Sequence, residues 1–375
     1  MEKLFSNVFK NKTVFLTGHT GFIGSWLTVW LNNLGANVIG YSLKPPSDPS
    51  MFDILEIKKS ITHIHGDIND NKFLEKKILE HKPNFLFHLA AQSLVRKSYK
   101  NTKDTFQTNV MGTINILEIV KQVKFIKNVI IMTSDKSYEN HEKIKFYNEE
   151  DSLGGNDPYS ASKGAAEIIV NSYRKSFFEN EKKQKIGLST IRAGNVIGGG
   201  DWANNRIIPD CICALKSKKP IHVRNPNSTR PFQFVLEPIS AMLWISANMN
   251  KDPKLFSTAW NVGPDKKYGK IKIKTLVPKI IKEWGNGDWI IKVDKTQKTH
   301  HESQTLMLDS SKIKKVLKWN PTLSINEAVK NTTDWYKTYY EKSNDIGELT
   351  LKQIEEYVKK AKELNMVWSK SQYKI

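Results

Sequence analysis

The segment Thr13-Val-Phe-Leu-Thr-Gly18-His-Thr-Gly21-Phe-Ile-Gly24-Ser-Trp-Leu constrains this chain more than any other. An apolar β-run ends in three glycines at i, i+3 and i+6, and a helical pattern follows at once. Glycine permits the sharp turn, lets the backbone approach a pyrophosphate and lets the next helix pack hard against the sheet. The helix N-terminus then offers free N–H groups and positive dipole to phosphates. A strand–turn–helix context is what this motif requires, so the segment predicts the first βαβ unit of a dinucleotide-binding sheet.

The pattern that opens there continues. Strand-like runs at 13–17, 37–42, 61–65, 84–88, 128–134 and 186–192 alternate with helical patterns near 22–34, 70–81, 101–124 and 157–180. That alternation predicts an α/β fold, a Rossmann-type doubly wound parallel sheet covered on both faces. Ligands of such sheets bind beyond the carboxyl ends of the strands. Gly18, Asp67, His88-Leu-Ala-Ala-Gln92 and Ser134-Asp-Lys136 all fall at those ends, so scattered motifs converge on one crevice. Past Asn195 the chain changes character. A glycine loop at 198–202 precedes a helical pattern at 207–218 and a Pro/Asn/Arg-rich stretch at 220–231. Segments 235–249 and 257–263 look helical and extended, and short helical patterns dominate from 265 onward. The expected division is a dinucleotide-binding unit at 1–194, with about 235–263 returning to it. A smaller, interleaved, mostly helical substrate unit is expected from 195–234 and 264–375. Thr350-Leu-Lys-Gln353 reads as a capping box opening an amphipathic helix that runs to Leu364.

At 375 residues the chain has ample core. No apolar run approaches the ~20 residues that span a bilayer, and the first residues lack a secretory pattern, so no membrane partner and a cytoplasmic location are expected. Cys211 and Cys213, two apart on a helical pattern, point to different faces and build neither a disulfide framework nor a metal site. His63 and His65 share one side of a strand without a third ligand in view, which favours a packed or half-exposed pair. No metal is expected. The formal net charge of +20 is carried by lysines spread along the chain. That pattern reads as a solvated surface, with no nucleic-acid partner. In so lysine-rich a chain, Arg192, Arg206, Arg224 and Arg230 mark places that need a planar fork, and all four fall in or just before the stretch assigned to substrate. Trp26 and Trp30 have the spacing of helix–sheet core.

Two constellations carry chemistry. Tyr159-Ser-Ala-Ser-Lys163 puts a phenol and an ammonium on one helix face, with Asp157-Pro158 as the helix start. A free tyrosine titrates near ~10, so as a base it needs a cation beside it, and Lys163 is placed to lower its pKa. Thr133-Ser-Asp-Lys-Ser137 follows the apolar strand 128–132. Ser134 can hydrogen-bond a substrate hydroxyl, while Asp135 and Lys136 add an acid and a possible base.

Taken together, the glycine turn, His-Leu-Ala-Ala-Gln, Thr-Ser-Asp-Lys and Tyr-x-x-x-Lys resemble the extended short-chain dehydrogenase/reductases. The segments Gly40-Tyr-Ser-Leu-Lys-Pro-Pro46, Leu153-Gly-Gly-Asn-Asp-Pro158, Arg192-Ala-Gly-Asn-Val-Ile-Gly-Gly-Gly-Asp-Trp202, Arg206-Ile-Ile-Pro-Asp210, Arg224-Asn-Pro and Thr229-Arg-Pro-Phe-Gln233 narrow the resemblance to nucleotide-sugar 4,6-dehydratases, in the branch acting on CDP-glucose. The resemblance covers residues 13 to about 240. Ile23, Ser137 and Phe232 stand where that branch usually has lysine, cysteine and tryptophan. The second strand lacks the acidic residue that usually grips the NAD ribose. The resemblance implies tightly held NAD, a nucleoside diphosphate sugar as substrate, and a homodimer or dimer of dimers through the helices at 101–124 and 157–180. Cofactor contacts are then expected from Gly18, Thr20, Gly21, Phe22, Ile23, Gly24, Ser42, Lys44, Asp67, Ile68, Leu89, Ala90, Ala91, Gln92, Asn109, Tyr159 and Lys163. Substrate contacts are expected from Ser134, Asn195, Arg206, Ile208, Arg230 and Gln233. The implied catalytic set is Ser134, Asp135, Lys136, Tyr159 and Lys163, with Lys136, where most such enzymes carry glutamate, as base at the sugar C5.

Overall fold

Seven strands form one parallel sheet in the computed structural model, which describes residues 4–142, 145–179, 186–267, 269–292, 305–341 and 345–370. They are β1 (Thr13–Thr17), β2 (Asn37–Ser42), β3 (Thr62–His65), β4 (Phe85–His88), β5 (Asn128–Met132), β6 (Gly187–Ala193) and β7 (Ala259–Val262), in the order β7-β6-β5-β4-β1-β2-β3. The order reverses between β1 and β4, which pair from Val14 against Phe85 to Thr17 against His88. A crevice therefore opens beyond their carboxyl ends.

Both faces are apolar because side chains alternate along each strand. Val14, Leu16, Phe85 and Phe87 enter one core, with Trp26 and Trp30 of helix α1 (Phe22–Asn33). Phe15, Leu86 and Val129 enter the other, with Leu74 and Ile78 of α2 (Asn71–His81) and Ile116, Leu117 and Val120 of α3 (Gly112–Gln122). Helix α4 (Pro158–Tyr173) starts as expected: Asp157 caps it by accepting from the Ser160 N–H at 2.9 Å, with proline at the first helical position. Helix α5 (Ile207–Lys216) separates the two cysteines, Cys211 buried and Cys213 exposed. All fourteen residues of α6 (Leu236–Met249) are buried. It lies between the sheet and the C-terminal segment, to which Trp244 donates through the Leu317 carbonyl at 2.8 Å.

Two expectations for the C-terminal third are corrected. Three of the helices there are long, α7 (Ile273–Trp284), α8 (Ile325–Tyr340) and α9 (Ile346–Glu363), beside the short Ser311–Leu317. And Thr350 does not cap α9, which starts four residues earlier. Its buried hydroxyl donates to the Ile346 carbonyl and accepts from the Trp335 indole at 2.9 Å, while Gln353 reaches the Asn331 carbonyl. The reciprocal box forms instead between Ser324 and Glu327 at the start of α8. Both sites carry the capping pattern, and a tertiary partner claims the hydroxyl at Thr350.

Candidate functional site

The crevice is walled first by backbone. Gly18 follows β1 with φ +77°, and a Cβ there would come within 2.6 Å of the Ala90 nitrogen. The turn after β1 thus lies directly against Leu89-Ala90 at the end of β4. A Cβ on Gly24 would meet the Gly18 carbonyl at 2.2 Å, so this glycine lets α1 close on its own turn. Gly21 differs. Its φ is −80°, and a Cβ would touch only the Gly18 carbonyl, at 3.4 Å. It is also the N-cap of α1 and supplies no side chain to the first-turn amides. An open approach to the N-terminus of α1, which begins Phe22-Ile23, is what a pyrophosphate needs, so the residues present fit a dinucleotide.

Side chains around this cradle mostly hold the protein to itself. The Thr20 hydroxyl meets Ser42 Oγ at 2.9 Å and donates to the Leu43 carbonyl at 3.0 Å; Lys44 beyond it is exposed. Asp67 accepts from the Asn69 N–H at 2.9 Å, and Ile68 is buried beneath Gly112. Asn109 accepts from the Gln92 N–H at 2.8 Å and donates to the Gln92 carbonyl and to Ser162 Oγ. The Gln92 amide is itself tied to Leu94 and Thr105. Expected as cofactor contacts, Asn109 and Gln92 instead have their amides engaged by the chain, and they fix the Ala90-Ala91 wall. Behind the cradle His19 is buried and its Nε2 meets His63 Nδ1 at 2.7 Å, while His65 is exposed.

The second wall is chemical. Ser134 leaves the end of β5 and caps the short turn Asp135–Ser137, accepting from the Lys136 N–H at 3.2 Å. Its hydroxyl donates to Asp135 Oδ1 at 3.0 Å and acts on the Tyr159 phenol. Asp135 is 3% exposed, and its Oδ2 is buried without a hydrogen-bond partner. Burial raises the pKa of this carboxyl, with Lys136, Ser134 and Arg230 pulling the other way. Lys136 is half-buried. On α4, Tyr159 and Lys163 are both buried, and the Lys163 ammonium donates to the Met132 carbonyl at 3.2 Å.

Burial governs both groups. It pushes Tyr159 up to about 12, with Ser134 and Arg206 acting to lower the phenol and Asp135 and Asp157 to raise it. Lys163 is itself pulled down to about 8 by burial, opposed by Glu167. His88, bonded through its ring nitrogens to Thr17 at 2.8 Å and Thr113 at 3.3 Å, is held down to about 3 by burial and the nearby Lys163.

The expected substrate residues divide. The Arg206 fork is held by Asp201 at 3.0 Å and Ser93 at 3.1 Å, and its charge reaches Tyr159. Arg230 is buried, donates to the Thr229 carbonyl at 3.0 Å and acts on Asp135. Asn195 is half-buried, and its carbonyl accepts from the Gln233 N–H at 2.9 Å. The buried Gln233 side chain donates to the Val262 carbonyl at 2.9 Å, and the Ile208 side chain is in the main apolar core. The two-residue strand Gln233–Phe234 pairs with Val196–Ile197, and the Gln233 Oε1 is buried without a hydrogen-bond partner among the described residues. Arg192 is no substrate fork. It pairs with buried Glu167 at 2.9 Å and lies over the Tyr138 ring at 4.9 Å. Arg224 bonds Asn205 Oδ1 at 3.2 Å. Glu167 escaped the sequence reading, although its signal was available: it follows Lys163 by the same four residues that separate Lys163 from Tyr159.

Among the described residues no group of three or more His, Cys, Asp or Glu side chains could hold a metal ion, and no helix is long and apolar enough to cross a membrane.

With this geometry in hand, comparisons with known proteins are consistent with each other. A family model described as GDP-mannose 4,6 dehydratase matches residues 15–332. The CDP-glucose 4,6-dehydratase of Salmonella typhimurium is 41% identical over 355 residues, covering 94% of this chain and 98% of that protein. Among solved structures, dTDP-glucose 4,6-dehydratase from Bacillus anthracis in complex with NAD superposes with a TM-score of 0.73 at 20% identity, over 90% of this chain and 99% of that one. UDP-glucose-4-epimerase from Stenotrophomonas maltophila, with bound NAD, gives 0.75 at 18% identity, over 89% and 100%. The structural likenesses bear on the fold.

Proposed function

Because the chain belongs to the GDP-mannose 4,6 dehydratase family of extended short-chain dehydrogenase/reductases, we propose that it dehydrates CDP-glucose to the 4-keto-6-deoxy sugar. The observation that carries the reaction type is Asp135, a buried carboxyl of raised pKa beside the Ser134–Tyr159 pair. An enzyme that only inverts C4 has no use for such an acid, whereas loss of water needs one. The choice of sugar rests on the 41% identity with the Salmonella enzyme.

NAD, when bound, would supply a reversible hydride acceptor for the C4 and C6 positions. The open N-terminus of α1, with Gly18, Thr20, Gly21, Phe22, Ile23 and Gly24, would hold its pyrophosphate. Tyr159 takes the proton of the 4-hydroxyl as the phenolate, a form the nicotinamide cation of bound NAD would favour over the pKa of about 12 that burial sets without it, and Ser134 orients that oxygen. Once C4 is a ketone, the C5 proton is acidic. Lys136, as the neutral amine, removes it as Asp135 protonates the departing 6-hydroxyl, so that water leaves and a C5–C6 double bond forms. Refilling C6 with hydride and C5 with a proton restores every electron, and the net change is loss of water. Arg206 and Arg230 lie near Tyr159 and Asp135, where charged forks suit a diphosphate.

In this reading residues 1–194 and 235–263 serve NAD, and 195–234 and 264–375 serve the nucleotide sugar. The protein works as a homodimer or dimer of dimers. Exposed Met111, Ile168 and Phe177, all on the helical stretches at 101–124 and 157–180, support that assembly. Its unpaired thiols suit a reducing cytoplasm.

The test is incubation with CDP-, dTDP-, UDP- and GDP-linked hexoses, following the near-ultraviolet absorbance of the 4-keto product. CDP-glucose should be turned over fastest. Preference for another nucleotide overturns the choice of substrate, and absence of a keto product from the whole panel overturns the reaction.

A further inference from the structure

Tyr159, Lys163 and Glu167 occupy one face of α4 at intervals of four residues. The first two face the chemistry. The third is buried at 2% exposure. Three donors converge on its carboxylate: the Thr133 hydroxyl on one oxygen, and the Thr190 hydroxyl and Arg192 Nη2, each at 2.9 Å, on the other. Thr133 is the residue before Ser134 and Asp135. Thr190 and Arg192 belong to β6, the strand beside β5. One carboxylate therefore joins the catalytic helix to two adjacent strand ends. We propose that Glu167 is a positioning residue, locking the strand end that carries Ser134 and Asp135 onto the helix that carries Tyr159 and Lys163.

A purely structural ion pair would need only Arg192. The Thr133 bond is the part that bears on the reaction, because rotation or retreat of Thr133 moves Ser134 directly. Displacements of about 1 Å at a reacting centre cost up to a hundredfold in rate. Glu167 also opposes the burial that strips the Lys163 proton. The charged and titratable groups facing this pair come from every neighbouring element: Arg192 from β6, Arg174 from the extension of α4, Tyr138 from the segment after Ser134, and His88 from β4. Glu167 is the carboxylate whose charge favours the Lys163 cation against burial.

The inference rests on the dehydratase reading, so the native enzyme is assayed in parallel on the nucleotide-sugar panel. Thr133→Val removes the hydroxyl and with it the contacts to Glu167 and to the Ile191 carbonyl, while the Thr133 N–H stays bonded to Ile191 and the Glu167–Arg192 pair stays intact. Its kcat should fall about tenfold with KM and melting temperature unchanged. Glu167→Gln removes the charge; the alkaline limb of its kcat/KM profile should move down by about one pH unit. Native turnover in Thr133→Val, or an unmoved limb in folded Glu167→Gln, overturns the inference while leaving the dehydratase assignment standing. If Glu167→Gln does not fold, Thr133→Val decides. A native enzyme inactive on the whole panel removes the dehydratase reading and this inference with it.

Discussion

The two walls of the crevice are built on opposite principles. At the ends of β1, β2 and β4 the protein offers backbone. Glycines keep the space open, and the nearby polar side chains Thr20, Ser42, Gln92 and Asn109 are bonded to the chain itself. At the ends of β5 and β6 it offers buried side chains with displaced protonation: Asp135 raised, Tyr159 raised to about 12, Lys163 lowered to about 8. A binding cradle works by shape and fixed dipoles, which need no proton to move. A catalytic corner needs protons to move, so it keeps ionisable groups out of water and must secure them in networks, because an unpaired buried charge is costly.

The comparison is broken most severely at Tyr159. Tyr159→Phe should lower turnover roughly a thousandfold, with NAD still bound and no NADH formed, as stopped-flow absorbance will show. On the other wall, Gly21→Val should weaken NAD about a hundredfold by calorimetry, because the new methyls stand where the pyrophosphate approaches the α1 amides. Its melting temperature should hold, since φ is −80° and the nearest atom to the new Cβ is 3.4 Å away. Gly18→Val is the blunter variant: positive φ and the Ala90 backbone at 2.6 Å make it unfold the turn it probes. Undiminished NAD binding in Gly21→Val would mean that the cradle is not where phosphates lie.

Smaller changes sharpen the corner. Lys136→Ala should still oxidise C4 but stall before elimination, with bound NADH accumulating and turnover down about a hundredfold. Solvent deuterium entering C5 at the native rate in that variant would assign the base elsewhere. The smallest effect is in the pH profile of the free enzyme. Lys163 has its pKa lowered from 10.5 to about 8, so its cation is present below that value and lost as pH rises through it. kcat/KM should therefore fall above about pH 8 as that cation is lost. A flat profile up to pH 10 would show that burial does not control Lys163.

Much of this was legible beforehand, and the residues show why. The strand at 37–42 and the helix start at Asp157-Pro158 were found where expected, because period-2 apolar runs, caps and prolines act over a few residues. Gly18, Gly21 and Gly24 were legible for the same reason. Thr350 was misread, since a capping pattern cannot reveal that Trp335 will claim the hydroxyl. The partners of Gln233, Ile208 and Arg192 were not legible: type and neighbourhood suggested a ligand contact, and packing also gives them the Val262 carbonyl, the apolar core and Glu167.

What the sequence by itself determined is the doubly wound sheet, the glycine turn and the spacing that brings Ser134, Asp135, Tyr159 and Lys163 to one crevice, all of which rest on local pattern. What only the tertiary structure decided is their surroundings. How far burial shifts Asp135, Tyr159 and Lys163, and which groups Glu167 joins, depend on desolvation and on partners up to tens of residues away. No residue carries its own dielectric, and the environment that sets these charges exists only after α4, β5 and β6 have closed on one another.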